Sequence, residues 1–207
     1  MQNRQNQGYE NLNKRIFDGV GKYDIPLLNP VKQQNIKSFI GFNFAKSCKE
    51  PQNKVIHFFL DDYQFSRLWN SPDKYLGLLK KFKAVLTPDF SMYSDFPEII
   101  QIYNHYRKHW LGAYWQENGI HVIPTISWSD ESSFEWCFDG EPIGGAVAVS
   151  SIGTQSSTTT KVMFLKGYNE MIKRLQPSLI YFYGKVPEGC TGNIVHFSAY
   201  QENFRTP

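Results

Sequence analysis

The sequence predicts an α/β protein built on a single, mainly parallel sheet of reduced or irregular TIM-barrel-like form, with an open doubly wound sheet as the alternative. Three observations lead there. Five apolar, β-rich runs (Val55–Leu60, Ala84–Leu86, His121–Ile123, Ala146–Val149 and Leu179–Phe182) each end in a short polar cluster. Most are followed by residues at helical spacing, and continuous apolar strands alternating with helices build parallel sheets covered on their faces. The chain has 207 residues, fewer than the roughly 250 of a full eightfold barrel, and its first two crossings are brief.

In chain order, residues 1–22 read as a polar, Asn/Gln-rich N-terminal arm with one helical turn around Leu12–Phe17, and residues 23–207 as a single barrel-like α/β domain. Ile25–Leu28 is a short apolar run closed by Asn29-Pro30, and Phe39–Ala45 is a strand candidate. After the buried strand Val55–Leu60, Ser71-Pro72-Asp73 starts a helix to Phe82, because Ser caps and Pro suits a first turn. Following Val85, Ser94–Glu98 opens the longest helix, with Ile99, Ile100, Tyr103, Tyr106, Trp110, Leu111 and Tyr114 at helical spacing and Asn118-Gly119 as its stop. His121–Ile126 is the next strand, Asp130–Phe138 a short helix, and Asp139-Gly140-Glu141-Pro142 a turn. Ala146–Ser151 is a strand, Thr154–Thr160 a hydroxyl-rich loop and Lys161–Leu175 a helix ended by Pro177; Leu179–Phe182 and Ile194–Phe197 are the last strands.

Composition narrows the class. Hydrophobic residues at 41% support a folded core, and a net charge of +3 is only mildly basic, neither demanding nor excluding a nucleic-acid partner. Cys48, Cys137 and Cys190 lie far apart without metal-ligand spacing, which points to reduced thiols in a cytoplasm. The polar start lacks the apolar stretch of a signal peptide, and no run approaches the ~18 residues that span a bilayer, so no membrane partner is expected. There is no Gly-x-Ser-x-Gly elbow and no cysteine with an activating histidine, which disfavours covalent catalysis.

Three ordered segments carry a likeness. They are Leu86–Ser91, with the helix ending Tyr114-Trp115-Gln116; Gly119–Thr125 with Ser127-Trp128; and Gly167-Tyr168 through Leu175-Gln176-Pro177 to Tyr183-Gly184. In that order they resemble a DUF4417-like family of bacterial and phage domains of unknown function, over roughly residues 15–185. The resemblance implies carriage on a phage or mobile element and brings no catalytic residues with it.

Ligands of such sheets bind beyond the carboxyl ends of the strands, and the site candidates are the polar residues found there. Asp61 and Asp62 follow one strand and Asp89 the next, a grouping able to hold Mg²⁺ or Mn²⁺ through oxygen; turn and cap chemistry is the competing account. Ser150, Ser151 and Gly153 lie between a strand and a helix, where amides and hydroxyls can receive a phosphate, although the lysine of a P-loop is missing. Thr125, Ser127 and Trp128 end the middle strand, with Trp128 able to stack a base and Glu135 to serve as acid or base; Tyr183, after the strand Leu179–Phe182, lines the same pocket. His105 and His109, four apart on a helix, can share a metal, but their neighbours Arg107 and Lys108 favour a solvated face. Two functions stay open: metal-assisted hydrolysis or transfer on a nucleotide or nucleic-acid phosphate, and a non-catalytic module binding a nucleotide, nucleic acid or host protein.

Overall fold

The computed structural model describes residues 6–9 and 12–199, with side chains from Lys14 onward. Two antiparallel ribbons come first: β1 (Asn6–Tyr9) with β2 (Leu12–Arg15), and β3 (Gly19–Val20) with β4 (Ile25–Pro26). The turn expected around Leu12–Phe17 is thus a strand, because this stretch is tied down at both ends. Lys14 is buried and donates to the Trp69 carbonyl at 2.7 Å, and the Trp110 indole donates to the Arg15 carbonyl at 2.6 Å. Residues 1–5, 10 and 11 of the expected arm lie outside the described residues.

The sheet follows in two runs. β5 (Ser38–Gly41), β6 (Lys54–His57), β7 (Ala84–Leu86) and β8 (Val122–Ile123) are neighbours in that order, all parallel. β9 (Ala146–Ser150), β10 (Leu179–Tyr183) and β11 (Ile194–Phe197) form a second parallel run. A parallel bridge, Thr125 to Ala148, joins the two through Ile126 N–H to Ala148 O at 2.8 Å and Ala148 N–H to Pro124 O at 2.7 Å. Seven parallel strands therefore follow one another in chain order. That order never reverses, so the switch point of a doubly wound sheet is not formed. The sheet is strongly curved, since Phe39 on β5 stacks on Phe197 of β11 with centroids 4.3 Å apart, and Tyr183 on β10 meets His57 on β6 at 4.6 Å.

One strand, β6, stops earlier than its apolar run. Beyond His57, Leu60 N–H turns back to Phe58 O at 2.7 Å, a three-residue turn that ends ladder pairing and releases Phe59, Leu60 and Asp61 to the sheet's carboxyl edge. The helices are α1 (Arg67–Asn70), α2 (Asp73–Leu79), α3 (Glu98–Glu117) and α4 (Thr158–Leu175). Gly119, at φ 76°, ends α3 as its left-handed stop requires. α4 starts three residues ahead of expectation because Ser157 and Thr160 form a reciprocal capping box. The helix expected over Asp130–Phe138 is only a 3₁₀ turn, Glu131–Glu135, capped by Asp130.

Two apolar clusters hold the sheet to its helices. One gathers Val55, Ile56, Val85, Trp110, Leu111 and Trp115 around α3, the other Val147, Ile180, Phe182, Phe164, Tyr168 and Met171 under α4. α3 buries more than its expected face. Ile99 and Ile100 are 66% and 43% exposed, whereas Gln101, Asn104, His105, Lys108 and His109 are buried. No helix among the described residues is long and apolar enough to cross a membrane.

Candidate functional site

The segments leaving β6, β7, β8 and β9 surround one cavity of about 630 Å³ at the carboxyl edge of the sheet. β6 delivers Phe59, Leu60 and Asp61; β7 delivers residues 89–94; β8 delivers residues 125–130; β9 delivers Ser150 and residues 152–154. The first turns of α4 complete the wall with Thr159, Thr160, Met163 and Phe164. The charged residues on this lining are Asp61, Asp89 and Asp130, and no Lys or Arg is among the lining residues. An acidic lining of this kind favours a ligand that carries a cation.

Asp89 is the distinctive group. Burial pushes its carboxyl up to about 6, and the nearby charge of Asp62 adds to the shift, against the opposing pull of Lys108 and a hydrogen bond from Ser127. A carboxyl tuned toward neutrality in a cleft is suited to proton transfer. Asp61 is exposed on the rim.

Asp62 does not line the cavity. Its carboxylate accepts from Ser91 N–H at 3.1 Å and Ser91 Oγ at 2.9 Å, and Arg107 approaches at 3.7 Å while lying over the Phe90 ring. It therefore fixes the loop after β7. The oxygens of Asp61, Asp62 and Asp89 do not form a three-ligand group close enough to share an ion among the described residues.

The other candidates divide in the same way. Thr125, Ser127, Trp128, Ser150 and Gly153 line the cavity. The Thr125 hydroxyl is committed to the Thr87 carbonyl at 2.9 Å, and Ser150 Oγ accepts from Ile152 N–H at 3.1 Å. Trp128 packs on Phe164 at 5.3 Å and covers Gly167 of α4 so closely that a Cβ there would enter the indole. Ser151, Tyr183 and Glu135 are not on the lining. Ser151 is buried and donates to the Lys185 carbonyl at 2.7 Å, Tyr183 is stacked on Phe59 at 4.9 Å, and Glu135 is exposed at the end of its 3₁₀ turn.

Beneath the floor lies a polar layer that the sequence assigned to solvent. Lys108 donates to the Thr125 carbonyl at 3.0 Å and to Glu141 Oε1 at 2.7 Å, and His109 Nε2 lies 3.0 Å from the same oxygen. Although burial raises Glu141, Lys108 and His109 outweigh it and hold the carboxyl below its ordinary value. His105 is held well below its ordinary range by burial and by the charges of Lys108 and His109. The expectation of a solvated face for His105, Lys108 and His109 is corrected: helical spacing identifies the stripe but not the side it faces. Ile102, Trp110, Leu111 and Trp115 are buried as well, so α3 is covered on its apolar and its polar side alike.

The family model described as "Domain of unknown function (DUF4417)" matches residues 17–201. The chain is 40% identical over 182 residues to the "Gene 1 protein" of Mycobacterium phage L5, covering 86% of this chain and 79% of that one. It is 38% identical over 187 residues to the "Gene 1 protein" of Mycobacterium phage D29, covering 86% and 67%. No solved structure matches.

Proposed function

The chain belongs to the DUF4417 family, and from that premise we propose that it is a phage- or mobile-element-borne enzyme acting on a phosphate-bearing ligand, a nucleotide or nucleic-acid end, in the cavity at the sheet's carboxyl edge. The observation that carries this reading is Asp89, a carboxyl raised to about 6 on the wall of a cavity formed by four successive parallel strands. Near neutral pH such a group can take a proton from an attacking water or hydroxyl and return it to a leaving oxygen. Asp61 anchors a Mg²⁺ or Mn²⁺ ion that arrives with the phosphate, which answers the lack of basic side chains on the lining. The loop at Gly153-Thr154 and the start of α4 at Thr159 and Thr160 receive phosphate oxygens, and Trp128 faces a base. Asp62 acts through Ser91 as a positioning residue. Glu135 has no place in this scheme, being outside the cavity. The sequential parallel order and the contact of Phe39 with Phe197 support a reduced barrel as the scaffold, and three free cysteines support a cytoplasmic setting.

A second reading, a module that binds the same ligand without turning it over, is favoured by the failure of the three aspartates to converge as a metal cage. A thermal-shift screen of nucleotides with and without Mg²⁺ and Mn²⁺ separates the two. The enzyme reading expects metal-dependent stabilisation that disappears in Asp61→Ala, and product formation that disappears in Asp89→Asn. Ligand shifts indifferent to metal and to Asp89→Asn support the binding module. No shift with any nucleotide overturns both.

A further inference from the structure

We propose that His105, His109 and Glu141 form a buried site for one divalent transition-metal ion of the zinc class, apart from the cavity and independent of its activity. One ligand atom from each of the three lies within 4.8 Å of the other two. The two histidines are a turn apart on α3, and the carboxylate comes from the turn after Gly140.

The bonding of His105 and Glu141 points to a missing partner. His105 Nδ1 and Glu141 Oε2 are buried polar atoms without a hydrogen-bond partner, His105 being 1% exposed and the Glu141 side chain 0%. Buried orphans cost stability and call for a ligand. The opposite edge of each imidazole is held by a main-chain carbonyl: His105 Nε2 by Asp139 O at 3.0 Å, and His109 Nδ1 by Pro26 O at 2.9 Å. A ring that donates its N–H to a carbonyl keeps its lone pair on the other nitrogen, which for His105 is the orphaned Nδ1; His109 Nε2 faces Glu141 Oε1 at 3.0 Å, and an ion bound between them would displace the proton they share. A carbonyl behind each ring is the outer-shell arrangement that orients metal-binding histidines. Glu141 has the same division of labour, with Oε1 held by Lys108 at 2.7 Å and Oε2 left over. Gly140, at φ 77°, lets the clamp close, since a Cβ there would stand 2.6 Å from Pro26 O and 2.7 Å from His109 Nδ1.

The donor set fixes the ion's class. Two imidazoles and one carboxylate suit Zn²⁺, Co²⁺ or Fe²⁺, whereas Mg²⁺ and Ca²⁺ take oxygen shells. An ion there would tie α3 to the β3–β4 ribbon and to the 139–141 turn beneath the cavity floor. The charged groups facing it are Lys108, which already holds Oε1, and Asp139, whose carboxyl feels His109.

The test uses the full chain, stripped with chelator and titrated with Zn²⁺, Co²⁺ or Mg²⁺. We expect one Zn²⁺ per chain by elemental analysis, a raised Tm with Zn²⁺ but not Mg²⁺, and a visible d–d absorption band with Co²⁺. His105→Gln and His109→Gln should each weaken Zn²⁺ binding at least tenfold, while Asp61→Ala leaves it unchanged, which keeps this site distinct from the cavity. A wild-type chain that takes up no Zn²⁺ and gives no Co²⁺ band at micromolar concentrations overturns the proposal. So does Zn²⁺ binding that is equal in wild type and both histidine variants. Should a variant fail to fold, the wild-type stoichiometry and Co²⁺ spectrum decide.

Discussion

The ammonium of Lys108 stands 2.7 Å from Glu141 Oε1, with the two side chains 2% and 0% exposed. The same ammonium reaches the Thr125 carbonyl at 3.0 Å, so one ion pair joins α3, the 139–141 turn and a strand end that lines the cavity. Its charge also opposes the upward shift of Asp89. The pair therefore links the buried layer to the cavity electrostatically.

Breaking this pair from one side should be expensive. Lys108→Met and Glu141→Gln are each expected to cost about 3–5 kcal/mol, because an unbalanced or unsatisfied group stays buried. Urea denaturation measures it, and the double variant should lose clearly less than the sum. Additive losses would show that the two side chains are not coupled.

Asp89 should make stability fall as pH rises. Its carboxyl goes from the ordinary 3.8 to about 6 in the fold, so between those values the native state binds the extra proton. That stabilisation is present below the unfolded pKa and is lost as pH climbs through about 6. Asp89→Asn should then match wild type near pH 3.5 and exceed it at pH 7, by on the order of 1–3 kcal/mol. Equal urea midpoints for the two proteins at pH 7 would remove Asp89 as a shifted group.

Gly167→Ala tests the wall of the cavity. On an open helix surface the change would stabilise by up to about 1 kcal/mol. Here the new methyl meets the Trp128 indole, and the expected effect is a loss of about 1–3 kcal/mol from overpacking. In a Trp128→Ala background the same substitution should turn stabilising, which a thermal-melt double-mutant cycle will show.

The cysteines should separate by reactivity. Cys137 is fully buried, and burial pushes its thiol up to about 12, whereas Cys48 and Cys190 are only half-buried. A disulfide-exchange reagent at pH 8 should label Cys48 first, Cys190 more slowly because burial pushes its thiol up to about 11, and Cys137 only on unfolding. Rapid labelling of all three in the native protein would contradict the packing around Cys137.

Where the strands of the main sheet lie, and that this sheet is parallel, was legible because continuous apolar runs have few other uses. Legible too was the gathering of polar strand ends: Asp61, Asp89, Thr125, Ser127, Trp128, Ser150 and Gly153 follow four different strands and line one cavity. Chain position did not distinguish Asp61 from Asp62 or Ser150 from Ser151. Consecutive side chains leaving a strand point in different directions, and only the partner each one meets, Ser91 for Asp62 and Lys185 for Ser151, decides which of them turns inward.

By itself the sequence determined the alternation of strand and helix, the stops at Asn118-Gly119 and Pro177, and the edge of the sheet that carries polar residues, since all of these follow from local backbone preference and apolar periodicity. Tertiary structure alone decided that α3 turns its polar stripe inward. A helix's period records which residues share a face, but the burial of that face depends on what packs against it. Here Glu141 and the carbonyls of Pro26, Thr125 and Asp139 supply the partners that make burying Lys108 and two histidines tolerable. Those partners lie between 17 and 83 residues away in the chain.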